Sequence, residues 1–159
     1  MDGWEFAWNN GSSKNFQPVR LPHDWAINRP FDKTMEEGAS QGYRNRYGIG
    51  WYRKTLTLEE KREGIRCFLD FGGIYENSTV WVNGKEAGGH KYGYSSFRLD
   101  VTELVREGEN RIEVRVDNTG TPSDRWYSGA GIYRTVRWIE TEEIHLDEKE
   151  VIIHTGVEG

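Results

Sequence analysis

The feature that most constrains this sequence is a succession of short segments in which apolar and polar residues alternate, separated by turn-forming residues. A period of two residues places successive side chains on opposite faces of a β-strand. The segments are Trp4–Asn9, Trp51–Leu58, Ile65–Phe71, Asn77–Val82, Lys85–Gly89, Tyr94–Leu99, Asn110–Asp117 and Ile132–Ile139. A single helical turn is indicated at Asp100–Val105. Strands at this spacing predict an all-β fold, an antiparallel β-sandwich or jelly roll.

The strongest turn signal is the dipeptide Asn83-Gly84 between two of these segments. Both central residues of a type I′ turn need positive φ, which asparagine and glycine tolerate best. The sequence therefore predicts a tight hairpin that pairs Asn77–Val82 with Lys85–Gly89.

Length and composition limit the classes of protein to which this sequence can belong. A chain of 159 residues is long enough for one domain with an adequate core, and its 13% aromatic content predicts a core filled by large rings. The net charge of −5 argues against nucleic acid and anionic membranes as partners. No apolar run approaches the about 20 residues of a membrane-spanning helix, and no signal peptide is recognisable at the N-terminus. With a single cysteine, Cys67, this favours a cytoplasmic protein, although a secreted protein without disulfides fits the same composition.

Two irregular segments carry polar and aromatic side chains. Residues 28–50 lack any periodicity, and a loop of this length in a compact domain is usually functional or disordered. Its tyrosines, Tyr43 and Tyr47, favour function. The second segment, Asp124–Arg134, passes a glycine-rich corner into the predicted strand Ile132–Ile139, an arrangement typical of binding loops on a rigid scaffold.

No residue pattern typical of a catalytic centre is present. Most carboxylates lie in charged turns, and the candidates in irregular aromatic segments are Asp24, Asp32 and Asp124. The four histidines are scattered and Cys67 lies in a strand-like run, so no metal and no other cofactor is expected.

Ligand binding is the function that the remaining polar and aromatic side chains favour. Tyrosine and tryptophan offer flat apolar faces with a polar edge, and arginine offers a fork of donors, which suits the C–H faces and hydroxyls of a sugar. Protein-binding surfaces use the same residue types. Alternatively, Trp126, Tyr127 and Tyr133 are packed core or corner rings.

Six motifs follow one another over about nine-tenths of the chain. They are Leu21-Pro22-His23-Asp24-Trp25, Gly48-Ile49-Gly50-Trp51-Tyr52-Arg53-Lys54, Phe71-Gly72-Gly73-Ile74-Tyr75, Val80-Trp81-Val82-Asn83-Gly84-Lys85, Asn110-Arg111-Ile112-Glu113-Val114-Arg115-Val116-Asp117-Asn118 and Arg125-Trp126-Tyr127-Ser128-Gly129-Ala130-Gly131-Ile132-Tyr133-Arg134. In this order and spacing they resemble the N-terminal sugar-binding domain of glycoside hydrolase family 2, the β-galactosidase and β-glucuronidase family.

The resemblance implies a jelly-roll β-sandwich of the galactose-binding-domain type over residues 1–141. Residues 142–159 would be a linker and the start of an immunoglobulin-like domain. A TIM barrel with two catalytic glutamates would follow in the parent enzyme, so no catalytic residue is expected in this chain. The expected function is a non-catalytic sugar-binding domain of a β-galactosidase that hydrolyses terminal β-galactosides. Its expected partners are the terminal sugar of a β-glycoside and the remaining domains of the parent enzyme.

The resemblance also implies a site. Loops of this domain reach over the barrel in the family, and β-galactosidases and β-glucuronidases carry an aspartate in the loop before the Gly-Ile-Tyr-Arg segment. Counting back from Gly131, that position is Arg125, a departure from the family pattern, with Asp124 beside it. The expected substrate-binding residues are Asp124, Arg125, Trp126, Tyr127, Tyr43 and Asn45.

Two other functions stay open at this point. A free-standing lectin-like module would bind oligosaccharide by itself, whereas a purely structural module would use its aromatic loops as a domain interface. His23, Asp24 and Trp25 are expected to be structural, as a buried polar pair and a packed ring.

Overall fold

Nine β-strands make up the regular structure in the described part of the chain. The structure is a computed structural model that describes residues 2–8, 15–35, 38–61, 63–120, 126–148 and 150–156. The strands are β1 (Trp4–Trp8), β2 (Gln17–Val19), β3 (Ile49–Leu58), β4 (Ile65–Phe71), β5 (Ser78–Val82), β6 (Lys85–His90), β7 (Phe97–Asp100), β8 (Gly108–Asp117) and β9 (Val136–Glu142). A short 3-10 turn covers Gly38–Gln41. No helix among these residues is long and apolar enough to cross a membrane.

The strands form two antiparallel sheets. One has six strands in the order β2-β1-β3-β8-β5-β6, and the other has three in the order β7-β4-β9. Buried side chains of both sheets belong to one core cluster. The predicted antiparallel β-sandwich is therefore confirmed.

The core is built from alternate residues of the strands, as a period of two requires. In β8 the buried side chains are Ile112, Val114 and Val116, each at most 1% exposed. Large rings fill the remaining space, among them Tyr52 and Phe71, which are fully buried. The prediction of an aromatic-rich core is confirmed.

The predicted hairpin joins β5 and β6. Asn83 has a φ of 53° and Gly84 a φ of 79°, as a type I′ turn needs. The helical signal after β7 gives one hydrogen-bonded turn, in which the Val105 amide donates to the Val101 carbonyl at 3.1 Å.

Two strand predictions are wrong at their N-terminal ends. Tyr94–Ser96 belong to a loop, and β7 begins only at Phe97. Ile132 is fully buried but lies in irregular structure, and β9 begins at Val136. Ile132 packs in the core as a loop residue, and Tyr94 packs edge-on against Tyr75. An alternating pattern alone therefore overestimates the length of a strand.

Candidate functional site

Four irregular segments meet at one end of the sandwich and form what we call the loop cluster: residues 23–26, 38–47, 91–96 and 126–135. Backbone pairings hold the last of these from two sides. The Trp25 amide donates to the Ala130 carbonyl at 3.1 Å. On the other side, Tyr75 and Gly131 exchange two backbone hydrogen bonds of 3.0 and 2.8 Å. These backbone hydrogen bonds therefore fix the last segment of the cluster without the help of side chains.

Gly131 makes this close packing possible. Its φ is 112°, and a Cβ atom at this position would lie 2.2 Å from the Tyr52 hydroxyl and 2.9 Å from the His23 carbonyl oxygen. A side chain would collide with a buried ring and with backbone, so the corner accepts only glycine. The glycine-rich corner predicted from the sequence is confirmed.

The Asp24 carboxylate ties the first segment to the last. Its Oδ1 accepts hydrogen bonds from the amides of Ala26 at 2.9 Å and Ala130 at 3.1 Å. Its Oδ2 accepts the Tyr127 hydroxyl at 2.6 Å. Burial and this hydrogen bond together raise the pKa of Tyr127, so the phenol stays protonated and keeps donating. With three donors already bound, Asp24 positions Tyr127 rather than acting as an acid or base.

Gln41 clamps the backbone on both sides of Tyr127. Its side chain is fully buried, and its Nε2 donates to the Trp126 carbonyl at 2.7 Å. Its Oε1 accepts the Ser128 amide at 3.2 Å. A buried amide with both ends paired fixes the backbone that carries it, because any shift would leave polar groups unsatisfied.

Trp126 points toward the opposite wall of the cluster. Its indole Nε1 donates to the Tyr94 hydroxyl at 2.9 Å, while 58% of the residue remains exposed. Tyr127, the next residue, is 37% exposed. The two rings are thus both at the surface and both held by hydrogen bonds at their polar ends.

The other predicted site residues have different positions. Tyr43 is exposed, and its loop touches the Trp126 loop through Gln41. The Asn45 side chain accepts the Tyr47 amide at 3.0 Å and so closes its own turn. Asp124 and Arg125 lie outside the described residues.

Three arginines near the cluster have no carboxylate partner among the described residues: Arg29, Arg44 and Arg46. The Arg44 guanidinium lies 4.2 Å over the Phe31 ring and donates to the Arg29 carbonyl at 2.6 Å. Arg46 is fully buried, and its Nη2 donates to the Gly120 carbonyl at 3.4 Å. Its Nε and Nη1 have no hydrogen-bond partner in the described chain. Three positive side chains at this end are thus not neutralised by a carboxylate of the described residues.

The remaining chemical candidates are structural. Asp32 caps an exposed turn by accepting the amide and hydroxyl of Thr34, and these hydrogen bonds lower the pKa of its carboxyl. Cys67 is buried in β4, and burial raises the pKa of its thiol, which disfavours the reactive thiolate. In the part of the chain that the structure describes, no group of three or more histidine, cysteine, aspartate or glutamate side chains could hold a metal ion.

Sequence reasoning missed three contributors to the cluster, namely Gln41, Tyr92 and Tyr94. Asp24 is structural, as expected, and the segment that it supports is the site loop. Gln41 gave no signal, because a lone amide in an aperiodic segment has no distinguishing pattern. Tyr92 and Tyr94 flank Gly93, and this pattern of a glycine between two tyrosines indicates a loop, but Tyr94 was predicted as the first residue of a strand.

Comparisons with known proteins agree with the fold. Residues 3–142 match the family model described as glycosyl hydrolases family 2, sugar binding domain. A β-galactosidase of Bacteroides ovatus is 37% identical over 96% of the chain, which covers 19% of that protein. A β-glucuronidase of Paenibacillus borealis is 36% identical over 99% of the chain, which covers 29% of that protein. The crystal structure of a β-glycosidase from Bacteroides vulgatus superimposes with a TM-score of 0.79 at 36% identity, over 89% of this chain and 20% of that one. The chain therefore spans less than a third of the length of each of these three proteins.

Proposed function

The chain belongs to the sugar-binding domains of glycosyl hydrolase family 2, and on that premise we propose that it forms one wall of the terminal-sugar pocket in a multidomain glycosidase. In this proposal the chain supplies binding groups and no catalytic group. The two carboxylates that a retaining glycosidase needs come from the remaining domains of the parent enzyme.

The observation that carries the proposal is the way Tyr127 is held. Asp24 fixes its hydroxyl and Gln41 fixes its backbone, yet more than a third of the residue stays exposed. Ordering an exposed aromatic side chain costs conformational entropy. When the side chain is already ordered in the folded protein, binding causes no further loss of this entropy, which is the advantage of preorganisation. The Tyr127 ring is therefore both ordered and accessible before any ligand binds.

We take a terminal β-galactoside as the expected ligand. A β-galactosidase is among the relatives that match nearly the whole chain. A neutral pyranose offers one C–H face to a ring such as Tyr127 and hydroxyls to neighbouring donors.

A terminal β-glucuronide is the second candidate, and two half-buried arginines favour it. Arg44 in the cluster and Arg29 beside it have no carboxylate partner in the described chain. A guanidinium binds a carboxylate through two parallel hydrogen bonds, so a uronic acid would supply the missing anion. A β-glucuronidase is also among the relatives.

The proposal includes a contact with the rest of the parent enzyme. Residues after β9 hold large apolar side chains with almost full exposure, namely Ile144 at 92%, Leu146 at 89% and Ile153 at 81%. Exposed apolar side chains concentrated in one segment are typical of an interaction surface. We expect this segment to pack against the following domain, with its boundary near residue 142.

An NMR titration of this chain tests the proposal. Galactose, glucuronate, mannose and lactose are added at millimolar concentration, and amide and indole shifts are followed. We expect shifts concentrated at Trp126, Tyr127 and Gln41 with galactose or with glucuronate, and the sugar that gives them identifies the ligand. Tyr127→Ala serves as the matched variant, and it should lose the shifts without losing the dispersed spectrum. A well-folded spectrum that no sugar perturbs would contradict a binding role for the chain itself and favour a structural interface.

A further inference from the structure

The connection between β6 and β7 belongs to the loop cluster, but the proposed contact with the terminal sugar does not use its exposed side chain. It carries Tyr92, which is 63% exposed, and Tyr94, whose hydroxyl accepts the Trp126 indole at 2.9 Å. The Tyr92 and Tyr94 rings meet at 5.7 Å between centroids with an interplanar angle of 67°. A ring contact and a hydrogen bond thus place Tyr92, Tyr94 and Trp126 next to one another, and we call these three side chains the aromatic shelf.

The shelf is anchored to the core. The Tyr94 ring packs edge-on against Tyr75 at 5.3 Å between centroids, and Tyr75 is only 4% exposed. Behind it, a Cβ atom on Gly93 would lie 2.2 Å from the Tyr75 ring, so the loop approaches as closely as glycine allows. The Tyr133 hydroxyl then donates to the Gly93 carbonyl at 2.7 Å. The connection that carries the two tyrosines is thus fixed in place.

The shelf begins one residue from Tyr127. Trp126 and Tyr127 are neighbours in the chain, and their side chains are held by different partners, Tyr94 and Asp24. A ligand longer than one ring that contacts Tyr127 would meet Trp126 next and then Tyr92. The indole N–H is already bound to Tyr94, so what Trp126 offers is its flat face rather than its donor.

We infer that the aromatic shelf binds a second sugar ring, the one joined to the terminal sugar through the glycosidic bond. This inference rests on the proposed function, in which Tyr127 contacts the terminal sugar. A pyranose presents an apolar C–H face and a rim of hydroxyls, and the shelf presents ring faces bordered by phenol groups. The chain would accordingly select glycosides whose second residue is itself a sugar.

The test measures how much the second ring adds to affinity. Because every residue of the shelf lies on this chain, dissociation constants are measured by NMR titration of the chain with two matched pairs of probes. One pair is galactose and lactose, and the other is glucuronic acid and a disaccharide with glucuronic acid at its non-reducing end. We expect the disaccharide of one pair to bind about two- to tenfold more tightly than its monosaccharide, the gain that one aromatic contact typically gives.

Two variants of the same residue assign this gain to the shelf. Tyr92→Ala removes the ring and should reduce the ratio of the two constants to about one, with the monosaccharide constant unchanged. Tyr92→Phe keeps the ring and should keep the ratio. Equal constants in the unmodified chain, or a ratio that Tyr92→Ala leaves intact, would overturn the shelf while the proposed function stands. Absence of binding for all four probes would overturn both.

Discussion

The hydroxyl of Tyr127 donates to the Asp24 carboxylate at 2.6 Å, across 103 positions of the chain. The same carboxylate accepts the Ala130 amide, so one side chain orients both a ring of the site and the corner beneath it. A residue of the first motif, Asp24, thereby determines the geometry of the last motif.

Asp24→Asn is expected to lower both sugar affinity and stability. An amide keeps an oxygen for the two backbone donors but presents N–H groups to the Tyr127 hydroxyl, so the charge-assisted bond is lost. Such bonds contribute about 1.5–3 kcal/mol. Urea unfolding of Asp24→Asn, Tyr127→Phe and the double variant measures the coupling. If the two single effects simply add, the hydrogen bond contributes no coupling energy and the prediction is wrong.

Gln41→Leu is expected to destabilise the chain by about 2–3 kcal/mol, because it removes the acceptor of the Ser128 amide and the shorter hydrogen bond to the Trp126 carbonyl. The Trp126 carbonyl keeps the longer bond from the Ser128 hydroxyl at 3.4 Å. Gln41→Glu is the matched control. It retains the acceptor for Ser128 but loses the donor to Trp126, so its loss should be distinct from that of leucine. Denaturant titration gives the free energies, and a loss below about 0.5 kcal/mol for leucine would contradict the clamp.

Gly131→Ala is expected to cost more than about 3 kcal/mol or to prevent folding, since the new Cβ would lie 2.2 Å from the Tyr52 hydroxyl at a φ of 112°. Gly120→Ala provides the comparison, because nothing lies within 4 Å of a Cβ there. Thermal unfolding of the two variants under one buffer condition gives the difference. Equal melting temperatures would mean that the corner can shift to admit a side chain.

Whether a feature could be predicted from the sequence depends on how far apart in the chain its interacting residues lie. The Asn83-Gly84 hairpin and the buried face of β8 depend on neighbouring residues, and both were predicted correctly. The start of β9 was placed at Ile132 instead of Val136, because the pairing of Gly131 with Tyr75 replaces regular strand pairing there. Contacts such as Gln41 with Trp126 join residues 85 positions apart, and no local pattern encodes them.

Stability is expected to fall as the pH drops below the ordinary histidine value of 6.5, because burial lowers the pKa of His23. The neutral ring is bonded through Nδ1 to the Tyr52 hydroxyl at 2.8 Å, and burial raises the pKa of that hydroxyl, so the phenol stays protonated. In the unfolded chain His23 binds a proton at a higher pH than in the folded chain. Stability is therefore complete above pH 6.5 and declines between 6.5 and the lower folded pKa.

Melting curves of the chain and of His23→Gln between pH 5 and pH 8 isolate this contribution. The variant cannot titrate at position 23, so the difference in unfolding free energy between the two proteins should change with pH. All other groups contribute to both proteins and cancel. A difference that stays constant across this range would rule out the proton linkage at His23.

Arg46→Met is expected to leave the free energy of unfolding unchanged or to raise it. The guanidinium is fully buried without a carboxylate partner in the described chain, two of its nitrogens are unpaired there, and an apolar side chain of similar length removes the buried charge. Because Arg46 has no exposed surface, the affinities for galactose and for glucuronate should both stay unchanged. Arg44→Met tests the uronic acid instead, since the Arg44 side chain is only half-buried. If a uronic acid is the ligand, Arg44→Met should weaken glucuronate binding and leave galactose binding unaffected. Unfolding and titration of the two variants check both expectations, and an unchanged glucuronate affinity in Arg44→Met would contradict the uronic acid.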